Sequence, residues 1–313
     1  MTRPLQAREI VALAAFVVAA CAPPIRPVVA PDGPPIEFWQ EPVGRDDLFY
    51  GVGGRDLAPR PSEQYRLLKR DPSGFSTTLD VKDQEGEKWD AKLGPEAQSE
   101  VTVSRIVWAM GYPQPPIYYL PDLVVEEHGR THREGHARMR ANPDWIDKTG
   151  IWSWHQNPYV GTPQYRGLLV LMMVLNSTDL KDDNNAVYEV SRHGKTERWH
   201  VVKDLGASLG ETGKLNPKRS DVEAFEREGF IRGVDDEGHV QFVFHGRHGE
   251  LLDRITPADV RWMCTRLSRL SAEQWREAFR AGGYDRDESA RYVRKIKDKI
   301  AQGLALASPK ETR

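Results

Sequence analysis

The chain has 313 residues, 39% hydrophobic and 29% charged, with 44 Lys and Arg against 46 Asp and Glu. That length holds one large domain or two modest ones around a sizeable core, and the near-balance of charge argues against nucleic acid as an obligatory partner. Nine Trp and 22 Pro exclude a coiled coil and, outside one N-terminal stretch, wholesale disorder, while two cysteines, Cys21 and Cys264, exclude a disulfide framework and a cysteine zinc site.

Arg3 and Arg8 precede an apolar run over residues 10–20. The run is too short to span a bilayer but has the length of a secretory h-region. It ends Val18-Ala19-Ala20-Cys21, which resembles the bacterial lipoprotein signal, cut before a cysteine that becomes lipidated. A plain cleaved signal with an incidental cysteine is the alternative. The resemblance implies a signal peptide over 1–20 and an exported protein anchored in the membrane through lipidated Cys21. Ala22, rather than Asp, implies the periplasmic side of the outer membrane or the cell surface. Residues 21–37 read as a tether, because six prolines between 23 and 35 favour extended polyproline II and cannot build a core.

Three short strands are predicted over 65–69, 77–82 and 88–93, separated by turn clusters at 71–76 and 83–87. In the third, Trp89, Ala91 and Leu93 share one face, so Lys92 points the other way with Asp90. Pro95 opens a helix in which Ala97, Val101, Ile106, Val107 and Met110 recur at near-helical spacing, and Gly111 stops it. Residues 117–125 return to strand character, and no element is drawn from there to 166. The run 167–176 is apolar on every side and too short to cross a membrane, so a buried core helix is expected. Residues 186–190 and 198–202 read as a hairpin around His193-Gly194-Lys195, and amphipathic helices follow over 258–270, 272–281 and 287–304. Strands first and helices later give an α+β class.

The chemistry concentrates after the buried helix, in Asn176-Ser177-Thr178-Asp179-Leu180-Lys181-Asp182-Asp183-Asn184-Asn185, and after the hairpin, in Asp204-Leu205-Gly206. An antiparallel hairpin returns the chain to the end where it left, so Asn184 and Asp204 come side by side. With Asp179 on the preceding loop they form an oxygen-rich site suited to Mg²⁺ carrying phosphates.

Here the pattern resembles the protein-kinase-like superfamily. Asp179-Leu180-Lys181 followed by Asn184 looks like the catalytic loop, and Asp204-Leu205-Gly206 like the metal-binding Asp-Phe-Gly. Lys92 matches the strand lysine, and Glu100 the helix glutamate that holds it. Ser99-Glu100 and the helix ending at Gly111 are similar to the HipA-like toxin kinases and their atypical, lipid-kinase-like relatives. Ser73, Gly74 and Ser76 stand where a glycine-rich loop would be. There is no His before Asp179 and no Ala-Pro-Glu motif, so the resemblance bears on nucleotide binding more than on a peptide groove. It implies two lobes, a small antiparallel-sheet lobe with one helix over 38–122 and a larger, mainly helical lobe over 123–313. It also implies ATP and Mg²⁺: Asp179 as the base toward a hydroxyl acceptor and Lys181 steadying the phosphoryl group. Asn184 and Asp204 would hold the metal, Lys92 with Glu100 the phosphates, and the backbone at Ser73 and Gly74 would cover them.

Several alternatives stay open. Lys82 and Glu96 rival Lys92 and Glu100. Either the chain is a phosphotransferase acting on an unknown protein, sugar or lipid head group, or it is a kinase-like binding or scaffold lipoprotein without catalysis. His128, His132 and His136 would align for a metal on a helix, although Gly129 and Gly135 interrupt one. His239, His245 and His248 read as surface histidines, and Trp152, Trp154 and His155 as core packing or a wall of the cleft.

Overall fold

The computed structural model describes residues 28–29, 33–60, 62–213 and 217–307. Cys21 and the expected signal peptide lie outside the described residues. Two short strands, β1 (Val28–Val29) and β2 (Pro35–Glu37), precede a meander of β3 (Gln64–Asp71), β4 (Thr78–Lys82) and β5 (Lys88–Leu93). Then come α1 (Glu96–Ala109), β6 (Ile117–Leu120), β7 (Val124–Glu127), β8 (Arg130–Arg133), β9 (Ala137–Ala141) and β10 (Ile146–Gly150). The chain continues through α2 (Pro163–Val174), β11 (Asn185–Arg192), β12 (Lys195–Val202), α3 (Val222–Arg227), β13 (Ile231–Val234) and β14 (Val240–Phe242). It closes with α4 (Pro257–Leu267), α5 (Ala272–Ala281) and α6 (Arg286–Leu304). The result is the expected α+β molecule, a sheet lobe bearing one helix joined to a mainly helical lobe.

The sheet lobe has seven strands in the order β6-β9-β5-β4-β3-β7-β8. Alternation sorts β5 as expected: Trp89 and Ala91 are buried in the sheet's own core with Leu79, Val81 and Met139, while Lys92 and Asp90 face away. The sheet runs past residue 122 to Ala141. Pro121 and Asp122 split the expected strand 117–125 into β6 and β7, and β9 enters between β6 and β5. Strand β9 (Ala-Arg-Met-Arg-Ala) reads as polar in sequence, yet all five residues are buried, because acidic groups inside the protein pair its two arginines.

Residues 128–136 form no helix. His128 sits in the β7–β8 turn with φ +52°, His132 lies in β8, and His132 Nε2 is 2.8 Å from Glu134 Oε1. The spacing of four therefore does not stack the three imidazoles on one face.

The second sheet, β1-β2-β12-β11-β10, carries the expected hairpin, with Asn185 opposite Val202 and Arg192 opposite Lys195. Residues 35–37, expected within the tether, pair in parallel with β12. Phe38 and Trp39 follow them into the main core, Phe38 stacking on Tyr159 at 4.4 Å. Gly111 ends α1 at φ +100°, where a Cβ would come within 2.2 Å of the Gln40 carbonyl oxygen. Thr162 caps α2, accepting from the Tyr165 N–H, and Pro163 takes the first turn. From Gly167 to Val174 that helix is buried on every side, packed against α4 and α6; each of its leucines contributes about 1.5–3 kcal/mol of apolar burial. Cys264 is buried between α4 and α6, and burial pushes its thiol up to about 12. Among the described residues no helix is long and apolar enough to cross a membrane.

Candidate active site

Lys92 is the hinge of the site. Strand β5 aims it out of the sheet toward α1, and its side chain is only 10% exposed. Its Nζ lies 2.7 Å from Glu96 Oε2, 3.3 Å from Glu100 Oε2 and 2.9 Å from Asp204 Oδ1. Both candidate glutamates thus hold the lysine, because they stand one turn apart on the same face of α1. Lys82 is at the far end of β4, in a surface cavity with Gln64 and Asp83, and does not reach the site.

Glu100 is fully buried and is shared further. Arg138 Nε is 2.8 Å and Arg140 Nη2 3.2 Å from its Oε1. The register explains this: β9 places Arg138 opposite Lys92 and Arg140 opposite Asp90, so three cations leave one face together. Burial disfavours the charge on Lys92, but Glu100, Asp204 and Glu96 outweigh it and raise its pKa above the ordinary lysine value. Burial likewise opposes ionisation of Asp204, yet Lys92, Arg138 and Lys203 hold it down at about 2.

The loop after α2 is held by its backbone. Asn176 turns with φ +52°, Ser177 N–H donates to the Met172 carbonyl, and Thr178 N–H donates to that of Ala207. Lys181 Nζ is 2.8 Å from Asp179 Oδ2, and the Asn184 amide donates to the Asp179 carbonyl at 2.7 Å. Asp179 Oδ1 is buried, accepts no hydrogen bond among the described residues, and stands 3.7 Å from Arg247 Nε. Hairpin closure does what the sequence anticipated: the N–H groups of Lys203 and Asp204 both donate to the Asn184 carbonyl, at 2.8 and 3.0 Å. Helix α1 then clamps Asp204-Leu205-Gly206. Ser99 Oγ donates to the Gly206 carbonyl at 2.7 Å, Leu205 is buried, and a Cβ on Gly206 would lie 2.7 Å from Glu96 Cβ.

Between the lobes these groups line a cavity of about 280 Å³, with Lys92, Glu96, Asp179, Lys181, Asn184 and Asp204 all on its wall. Gly74 reaches this cavity. Ser73 turns back instead, with its N–H and Oγ both on Asp71 Oδ1 at 3.0 and 2.6 Å. Arg219, from the segment after Gly206, pairs with Glu96 and lies 4.0 Å over the ring of exposed Phe75, crossing the mouth. A second cavity of about 390 Å³ includes Asp90, Arg140, Asn142, Tyr188 and Lys203. Burial, with Arg140 and Lys148 nearby, lowers Lys203 to about 8. The Asn184 and Asp204 side chains and Asp179 Oδ1, which accepts no hydrogen bond among the described residues, form a donor set that fits a hard divalent cation.

Sequence reasoning missed Arg138, Arg140, Lys203, Arg219 and Arg247. The first two had a readable signal, strict alternation over 137–141. Lys203 had one too, its place between the end of the hairpin at Val202 and Asp204. For Arg219 and Arg247 the sequence carries none, since each reaches the site through a loop whose path is set by distant contacts.

No family model and no curated protein matches this chain. Among solved structures, it is similar to the Helicobacter pylori proinflammatory kinase CtkA, at 10% identity and a TM-score of 0.45, covering 77% of this chain and 97% of that one. It is also similar to the Golgi casein kinase with Mn/ADP bound, at 8% identity and a TM-score of 0.40, covering 83% and 75% of the two chains. Against hydra Fam20 with sugar the identity is 9% and the TM-score 0.38, with 82% and 89% covered.

Proposed function

We propose that this protein is a kinase-like phosphotransferase that moves the terminal phosphoryl group of ATP to a hydroxyl acceptor. The single observation carrying this reading is the ion pair of Lys92 and Asp204 inside a crevice that also holds Asp179, Lys181 and Asn184. Nucleotide phosphates would take over the Lys92 ammonium, which Glu96 and Glu100 keep in place when Asp204 lets go. Asp179 Oδ1 accepts no hydrogen bond among the described residues and has Arg247 Nε 3.7 Å away, which leaves it able to take the acceptor proton. Lys181 beside it neutralises charge on the phosphoryl oxygens. As the acceptor oxygen bonds to phosphorus, the bond to the departing ADP breaks and the acceptor proton passes to Asp179. Asn184 and Asp204 would hold Mg²⁺, which supplies charge neutralisation on the phosphates. Because transfer needs positioning and charge more than covalent chemistry, this set of residues suffices.

Thermal melting of the mature protein with ATP and Mg²⁺ tests the reading. At a hundredfold over the dissociation constant, ligand adds about 2.7 kcal/mol of apparent stability, and Asp204→Asn is expected to lose most of it. An equal shift in both proteins removes Asp204 from the site. A second reading, a binding protein without catalysis, is favoured by Lys92 already having three carboxylate partners. Nucleotide binding with no transfer to protein, sugar or lipid-head-group acceptors would select it. The proposal includes export and a lipid anchor at Cys21; Cys21→Ser is then expected to move the protein from the membrane to the soluble fraction.

A further inference from the structure

Outside the crevice, three metal-ligating side chains converge from two segments, His155 from one and His248 with Glu250 from the other. His155 Nε2 lies 3.2 Å and His248 Nδ1 2.9 Å from the same oxygen, Glu250 Oε1, and the two imidazole centroids are 5.2 Å apart. All three ligand atoms fall within 4.8 Å of one another. Tetrahedral zinc with bonds near 2.0–2.1 Å needs ligand atoms about 3.3–3.4 Å apart, so the two His–Glu separations already come near that spacing. His248 itself adopts φ +56° and ψ +44°, a left-handed conformation that costs a residue with a Cβ free energy. The side chains are 44%, 42% and 57% exposed, so the cluster is open to solvent and its variants remove no core packing.

We propose that His155, His248 and Glu250 form a zinc site with a fourth position open to water or a ligand. The donor set is two imidazoles and one carboxylate, which suits zinc and differs in kind from the all-oxygen set of Asn184 and Asp204. The site stands beside the loop 178–182 without belonging to the crevice. The residue before His248 is Arg247, whose N–H donates to the Thr178 carbonyl at 3.1 Å. The residue before His155 is Trp154, whose N–H donates to Asp182 Oδ1 at 2.8 Å. A bound ion therefore ties together the two segments that flank and support this loop. The inference stands on its own geometry and does not depend on phosphoryl transfer.

The test is competition for Zn²⁺ between the untagged mature protein and a chromophoric chelator. One equivalent is expected to bind. His155→Ala and His248→Ala are each expected to weaken it about a hundredfold or more, at or above the 10–100-fold cost of losing an outer supporting partner, and Glu250→Gln about tenfold. Asp204→Asn and millimolar Mg²⁺ are expected to leave zinc binding unchanged. Melting curves in chelator that match the wild type establish that the variants fold. Absence of stoichiometric binding overturns the proposal. So does binding that survives the double His155→Ala/His248→Ala substitution, or binding lost in Asp204→Asn.

Discussion

Lys92 and Asp204, 112 residues apart in the chain, meet with Nζ 2.9 Å from Oδ1 and join the two lobes through one half-buried ion pair. Glu96 and Glu100 complete a cage around the ammonium, so the lysine sits among three carboxylates within 3.3 Å. This arrangement makes the site part of the stability of the fold as well as of its chemistry.

Lys92→Met removes the common partner of those carboxylates. Breaking a buried pair from one side leaves uncompensated charge and costs about 3–5 kcal/mol. The urea midpoint at pH 7 is expected to fall accordingly, and Glu96→Gln added to Lys92→Met is expected to recover part of the loss. Strictly additive losses would mean the two do not interact.

The acid limb of the stability curve should carry the signature of Asp204. Its folded pKa of about 2 lies below the ordinary carboxylate value. Its contribution is therefore complete above ~3.9 and is lost as the pH falls toward 2. In Asp204→Asn the denaturation midpoint is expected to change less between pH 5 and pH 2 than in the wild type. Lys203 acts at the other end. Its pKa is depressed to about 8, so folding opposes its charge fully below that pH, and stability recovers as pH rises from 8 toward ~10.4. Lys203→Met is expected to be more stable than wild type at pH 7 and to lose that advantage by pH 10.5.

Asp179 and Lys92 should separate chemistry from binding. Asp179→Asn removes the proton acceptor while leaving the Lys92 cage intact, so transfer is expected to fall about 10²–10⁴-fold with the nucleotide-dependent melting shift retained. Loss of the shift with the activity would give Asp179 a binding role instead.

Gly206 is where α1 touches the Asp204 turn. An added Cβ would come within 2.7 Å of Glu96 Cβ, and overpacking of that kind costs about 1–3 kcal/mol. Gly206→Ala should therefore lower the melting temperature and weaken nucleotide binding by displacing Glu96 from Lys92. Gly233→Ala, built into open space, is the control and is expected to stay within about 0.5 kcal/mol.

The local rules of chain geometry were enough for much of this molecule. Alternation put Lys92 on the face opposite Trp89, helical spacing placed Glu96 and Glu100 one turn apart, and hairpin closure set Asn184 beside Asp204. Each depends only on residues near in sequence, so each was legible there. Arg138 and Arg140 alternate with apolar residues over 137–141, a strand signal, but nothing nearby in sequence reveals that Glu100 and Asp90 pair them inside the protein. Ser73 folds back on Asp71 while Gly74 reaches the crevice, a choice between neighbours that one turn's hydrogen bonds make. Arg219 at the mouth, Arg247 facing Asp179, and the meeting of His155 with His248 and Glu250 follow from how distant segments pack. Their positions belong to the tertiary structure, because the free energy that puts a loop beside its partner comes from contacts spread over the whole core and leaves no pattern in the loop itself.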